Sequence, residues 1–233
     1  MIIKNFLKKI IYREKYDSKS YVEYMKKLGA KIGDGTTIFS PTRTLIDLTR
    51  PWLLEIGENV QITEGVTILT HGYDWSVIKG VYGDVLGSSG RVKIGNNVFI
   101  GVNTTILKGT NIGNNVIIGA NSLVNRNIPD NVVVAGNPCR IIMTLEEYYK
   151  KRKKAQLEEV TELITLYRDR YNKEPSDKEL HEFFMLFEDN PYTLCDTFEC
   201  MMYLLGNYNM SCSSLRNNKK IFDNKEALLK SIK

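Results

Sequence analysis

The run IGNNVF-IGVNTT-ILKGTN-IGNNVI-IGANSL-V, residues 94–124, decides the fold. Its aliphatic positions Ile94, Ile100, Ile106, Ile112, Ile118 and Val124 stand six apart without a break. An amphipathic helix repeats about every 3.6 residues and a strand about every second residue, so neither produces this step. A hexapeptide parallel β-helix does: each six residues make one short strand and a turn, three such steps make a triangular coil, and each aliphatic side chain enters a shared core. Gly95, Asn96, Gly113 and Asn114 fall at the corners, where they are expected to supply backbone angles with positive φ.

Working outward, the same step recurs at Ile56, Ile62 and Ile68, and at Ile32 and Ile38. Ile38 to Ile56 is 18 residues, which reads as one whole coil, although Thr44 and Arg50 are poor core residues and Pro51 and Trp52 mark an irregularity. Ile68 to Ile94 is 26 residues, two more than a multiple of six. The chain is therefore expected to leave the helix between His71 and Arg91, and the glycines at 72, 80, 83, 87 and 90 predict a loop over 72–91. Long loops on a regular scaffold usually carry function.

The remaining composition narrows the class. The chain has 233 residues, 42% hydrophobic and 25% charged, which is ordinary globular usage and excludes a disordered or collagen-like chain. The net charge of +5 is local: residues 1–30 hold 8 Lys or Arg against 3 Asp or Glu, while the rest is nearly balanced. No zinc-finger or RNA-binding motif accompanies it, so a nucleic-acid partner is not expected. Ile2, Ile3, Phe6, Leu7, Ile10 and Ile11 at helical spacing, with Lys4, Lys8 and Lys9 between them, read as a basic amphipathic helix. It is expected to pack on its own protein or a neighbouring subunit, with contact to an anionic membrane face as the second reading. The lysines interrupt any signal-peptide core, and no run approaches the about 18 apolar residues of a membrane span. Cys139, Cys195, Cys200 and Cys212 form no C-x-x-C pair, which fits reduced thiols and a cytoplasmic setting, with peripheral attachment at the inner membrane face as the alternative.

Beyond Pro138 the pattern turns helical, through Leu157, Val160, Leu163 and Ile164, and Ser176 with Glu179 forms a capping-box pattern that predicts a further helix start. The aromatic and Met-rich stripe that follows reads as core, and His181 as structural or surface. Three segments result: an amino-terminal helical segment (1–30), the repeat domain (31–143) and a helical extension (144–233).

Residues 31–143, above all V-K-I-G-N-N-V-F-I-G-V-N-T-T-I from Val92 and the closing V-V-V-A-G-N-P-C-R-I-I, resemble the hexapeptide-repeat acyltransferases, in the branch of maltose, galactoside, xenobiotic and polysaccharide O-acetyltransferases. The resemblance implies a mainly β fold, a left-handed parallel β-helix. It implies a homotrimer with acetyl-CoA as co-substrate in the groove between neighbouring β-helices, and a histidine at the reacting end. Carried over by position, that histidine is His71, in T-H-G-Y-D; it is the only histidine of the repeat domain. The chemistry agrees, because a hydroxyl is a weak nucleophile at neutral pH and a neutral imidazole is suited to take its proton. The same carry-over implies Phe99 (Trp in many relatives), Gly101, Val102, Gly119, Ala120, Asn125, Arg126 and Arg140 as acetyl-CoA contacts. The small residues would admit the pantetheine arm and the arginines would pair with phosphates. Asp47, Tyr73, Asp74 and Trp75 are candidates for the acceptor site, Asp74 also for orienting the imidazole.

The expected reaction is acetyl transfer from acetyl-CoA to a hydroxyl of a sugar or glycan, in polysaccharide synthesis. N-acetylation of an amino sugar or an antibiotic is the alternative, since an amine also needs a base. A zinc hydratase on the same fold would need three histidine ligands, and the chain has two histidines in all. A non-catalytic scaffold would have no use for acetyl-CoA.

Overall fold

Each six-residue step folds as a strand of two or three residues and a turn in the computed structural model, which describes residues 8–232. The strands stack into three sheets. The first holds β1 (Lys31–Ile32), β4 (Leu54–Ile56), β7 (Val92–Ile94) and β10 (Asn111–Ile112). The second holds β2 (Thr37–Ile38), β5 (Gln61–Ile62), β8 (Val98–Ile100), β11 (Val116–Ile118), β13 (Val132–Ala135) and β14 (Arg140–Thr144). The third holds β3 (Leu45–Ile46), β6 (Thr67–Ile68), β9 (Thr105–Ile106) and β12 (Leu123–Val124). All pairings are parallel except β14, which turns back antiparallel on β13.

Register follows the repeat. Ile94 lies opposite Ile112, Ile100 opposite Ile118 and Ile106 opposite Val124, so a coil here is 18 residues long. Their side chains, with Ile62 and Ile68, fill the interior and are fully buried. Because a buried aliphatic side chain contributes roughly 1.5–3 kcal/mol, a core of this repetition supplies the main driving force of the fold.

Two expectations about the coils need correction. Ile38 to Ile56 is not a whole coil: Ile38 pairs with Ile62 in the second sheet, whereas Ile56 pairs with Ile32 in the first. The third-sheet position between them is taken by Ile46, because 3-10 turns at Pro41–Arg43 and Pro51–Leu53 widen two corners. Thr44, just past the first of these, is buried, and its hydroxyl donates to the Ser40 carbonyl at 2.8 Å. The second correction concerns the corners. Positive φ falls on Asn97 and Asn115 rather than on Gly95, Asn96, Gly113 or Asn114. Gly95 is small for another reason: a Cβ there would sit 2.6 Å from the Gly113 carbonyl oxygen of the next coil. Asn96 and Asn114 each use a side-chain oxygen to accept a neighbouring coil's backbone N–H at 2.8 Å, from Glu58 and Asn96 respectively.

The excursion after His71 is shorter and more ordered than a loop over 72–91. Gly72 N donates to Ser88 O at 2.8 Å and His71 bridges Ser89, which closes the segment at its base. Within it, α2 (Trp75–Tyr82) forms an eight-residue helix ended by Gly83 in a left-handed conformation (φ 82°). Gly80 lies inside that helix. Ahead of the first coil, α1 (Ser18–Leu28) is capped by Asp17, which accepts from Ser20 N at 2.8 Å, and it buries Tyr21 and Met25 in the β-helix core. Of the basic amphipathic segment, Ile2, Ile3, Lys4, Phe6 and Leu7 lie outside the described residues; Ile10 and Ile11 are helical and exposed.

The chain divides into two compact units at Tyr148 and Tyr149, within α3 (Leu145–Tyr171). The second unit has its own core, built from Val160 and Ile164 of α3, Phe184, Phe187, and Phe198 of α4 (Asp196–Tyr203). It continues through α5 (Tyr208–Arg216) and α6 (Lys225–Ser231). Ser176 and Glu179 do form the capping pair, at 2.8 and 2.6 Å, but turns and the 3-10 helix Phe184–Leu186 follow instead of an α-helix. Phe184 stacks on Phe198 with centroids 5.2 Å apart, and this packing outweighs local helix preference.

Candidate active site

His71 follows β6, where the third sheet turns toward the first, and Asp47 follows β3 one coil earlier. The strand pairing Ile46–Ile68 holds the two residues side by side. His71 Nδ1 stands 2.5 Å from Asp47 Oδ2. Asp47 is 8% exposed, and its oxygens accept four further hydrogen bonds: from Thr49 N (3.1 Å) and Oγ1 (2.7 Å) on Oδ1, and from Thr70 N (3.0 Å) and Oγ1 (2.5 Å) on Oδ2. Burial alone would raise the carboxyl pKa; the bonds from Thr70, Thr49 and His71 outweigh it and hold Asp47 well below the usual carboxylate range.

An ionised carboxylate only accepts, so Nδ1 carries the imidazole proton and donates it to Asp47. In the neutral imidazole, Nε2 then keeps a lone pair. The His71 side chain keeps 29% of its surface, and no hydrogen bond from another described residue occupies Nε2. A fixed imidazole with a free Nε2 can take a proton from an incoming hydroxyl and later return it to a leaving group.

The other site residues are distributed as follows. Asp47, expected at the acceptor, is instead buried behind the imidazole with both oxygens engaged. Asp74 is exposed at the start of α2 and makes no side-chain cap bond, so Asp47 is the group that orients His71. Tyr73 and Trp75 pair with each other, centroids 4.8 Å apart. Asn125 and Arg126 are exposed beyond β12, at the same corner as His71 and two coils away, roughly 10 Å at the usual strand spacing. Phe99, Val102 and Ala120 are exposed around the preceding corner, and Asn121 N donates to Val102 O at 2.8 Å. Arg140 is exposed on β14, its Nη1 donating to Cys139 O at 3.0 Å.

Gly101 and Gly119 have a packing reason to be small. A Cβ on Gly101 would lie 2.6 Å from Ala120 N and one on Gly119 2.9 Å from the Ala135 Cβ. Gly101→Ala is therefore expected to lower stability by about 1–3 kcal/mol through the forced separation of two coils, measured as a shift of the urea midpoint with unchanged slope.

Thr49 and Thr70 were not singled out from sequence. A local signal existed for Thr49, because in D-L-T a hydroxyl two residues beyond an aspartate readily bonds it. Thr70 only gains meaning once Asp47 is known to lie beside it.

The comparisons with known proteins agree with this architecture. The bacterial transferase hexapeptide (six repeats) family model matches residues 91–126. Protein CapG of Staphylococcus aureus is 41% identical over 127 residues, 54% of this chain and 73% of that protein. The putative acetyltransferase YvoF of Bacillus subtilis is 33% identical over 161 residues, 66% of this chain and 84% of that one. The galactoside O-acetyltransferase of Escherichia coli is 38% identical over 117 residues, 48% of this chain and 55% of that protein. The chain belongs to the hexapeptide-repeat acetyltransferases, enzymes built on the left-handed parallel β-helix.

Proposed function

We propose that this acetyltransferase moves the acetyl group of acetyl-CoA to a hydroxyl of a sugar or glycan, with His71 as general base. The observation that carries the reading is the imidazole held by a buried, ionised Asp47 with Nε2 unengaged. Nε2 takes the proton of the acceptor hydroxyl as its oxygen attacks the thioester carbonyl. A tetrahedral adduct forms and collapses, the carbon–sulfur bond breaks, and the proton on Nε2 passes to the departing CoA thiolate. Asp47 stabilises the transient imidazolium without itself being protonated. Acetyl-CoA is assigned to Phe99, Val102 and Ala120 along one corner, with Asn125, Arg126 and Arg140 toward its polar parts. The sugar acceptor is supported by the galactoside O-acetyltransferase among the relatives, and Tyr73 and Trp75, two and four residues beyond His71 in the chain, offer aromatic faces.

The test is release of free thiol from acetyl-CoA in the presence of sugars, amino sugars and chloramphenicol-like acceptors. Sugar-dependent release supports the reading; release only with amines replaces it with N-acetylation. No response from any acceptor, with no acetyl-CoA binding, would leave a scaffold.

The working unit is proposed to be a homotrimer. Trp52, Val77 and Tyr82 are 67%, 70% and 76% exposed on the β-helix unit, large apolar side chains suited to being covered by a second copy. Sedimentation equilibrium is expected to give three times the 26.7 kDa chain mass; a monomer at micromolar concentration would overturn it.

A further inference from the structure

The carboxy-terminal unit contains a cavity that the proposed acetyl transfer does not use. Its volume is about 780 Å³, within the roughly 300–1,000 Å³ of small-molecule sites. Its apolar lining is Met185 and Leu186, at the end of the 3-10 turn, together with Ile221. The walls are pinned: Ile221 N and Phe222 N both donate to Leu186 O, at 2.8 and 3.0 Å, and Asn218 Nδ2 donates to Met185 O. The space is thus formed by the fold itself.

Its charge is one-sided. Arg152, Lys153 and Lys219 line it and no Asp or Glu does. Arg152 is committed to Glu159, in a two-point contact at 2.5 and 2.6 Å. Lys153 holds its ammonium 5.2 Å from the Tyr149 ring centroid, and Lys219 forms no ion pair among the described residues. Two lysine charges in one lining with aliphatic side chains are complementary to a ligand with an anionic end and a hydrocarbon body. The Tyr149 face is already covered by Lys153 and no second aromatic ring lines the cavity, so a stacked nucleobase is not what the site is shaped for.

We propose that this cavity binds an amphiphilic anion, one carboxylate or phosphate head on a hydrocarbon tail. The test uses full-length protein and 1-anilinonaphthalene-8-sulfonate as fluorescent reporter. Sodium dodecanoate and dodecyl phosphate, below their micelle concentrations, are expected to displace it at one site per chain. Dodecyltrimethylammonium, which has the same tail and the opposite charge, is not. The tighter of the two anions identifies the head group. Lys153→Glu and Lys219→Glu are each expected to raise Kd about tenfold, with Lys151→Glu, outside the cavity lining, as the unchanged control and thermal melts confirming folding. Equal displacement by the cation, binding of inorganic phosphate as tight as that of dodecyl phosphate, or an unchanged Kd in both charge reversals would overturn the proposal. The wild-type competition series decides the matter even if a variant fails to fold.

Discussion

His71→Ala is expected to lower kcat for acetyl transfer by about 10²–10⁴, the usual contribution of a positioned general base, while the Kd for acetyl-CoA stays within about twofold. The asymmetry follows from position. His71 stands at the corner beyond β6, whereas Phe99, Val102 and Ala120 line the preceding corner, so truncating the imidazole removes proton transfer and leaves the proposed cofactor surface intact. Thiol release with the responding acceptor, combined with calorimetric titration of acetyl-CoA, separates the two quantities. A variant that keeps wild-type kcat would remove His71 from the mechanism.

Asp47→Asn is expected to cost about as much, about 10²–10⁴ in kcat, although Asp47 touches neither substrate in this reading. The amide has one acceptor oxygen where the carboxylate has two, and both carboxylate oxygens accept a backbone N–H, from Thr49 and from Thr70. With its NH2 toward His71, the amide forces the imidazole proton onto Nε2 and the base is lost. With its NH2 toward Thr49, the tautomer survives but the charge that stabilises the imidazolium does not. Retention of acetyl-CoA binding with lost kcat marks Asp47 as a positioning residue; loss of both would point to collapse of the corner.

A pH signature accompanies this change. The folded-state pKa of Asp47 is depressed, so its stabilisation is fully present above the unfolded carboxylate pKa of about 3.9 and is lost as pH falls toward the folded value. The stability gap between wild type and Asp47→Asn should therefore be full at pH 7 and shrink below about pH 4. Urea unfolding at the two pH values measures it, and a gap that widens in acid would contradict the assignment.

The architecture was legible in the chain because its defining interaction is periodic. Side chains six apart meet the same core on successive faces, so the unbroken run from Ile94 to Val124 specifies sheet, register and burial together. Where the period breaks, sequence loses this hold. The 3-10 turns at Pro41–Arg43 and Pro51–Leu53 moved Ile46 into the third-sheet position, which no count of sixes anticipates. Similarly, Ser176 and Glu179 announced a helix that the stacking of Phe184 on Phe198 did not allow to continue.

For the site, sequence by itself determined that His71 stands where the repeat is interrupted, so that an imidazole is available there. Only the tertiary structure decided what orients it. Asp47 and His71 are 24 residues apart in the chain, yet Nδ1 and Oδ2 are 2.5 Å apart because the pairing of β3 with β6 stacks one coil on the next. Asp74, three residues from His71, is nearer in sequence and remains exposed at the start of α2. The physical reason is that proximity in a β-helix runs across coils at about 4.8 Å per step, so the partner that matters is the residue one turn of the helix away.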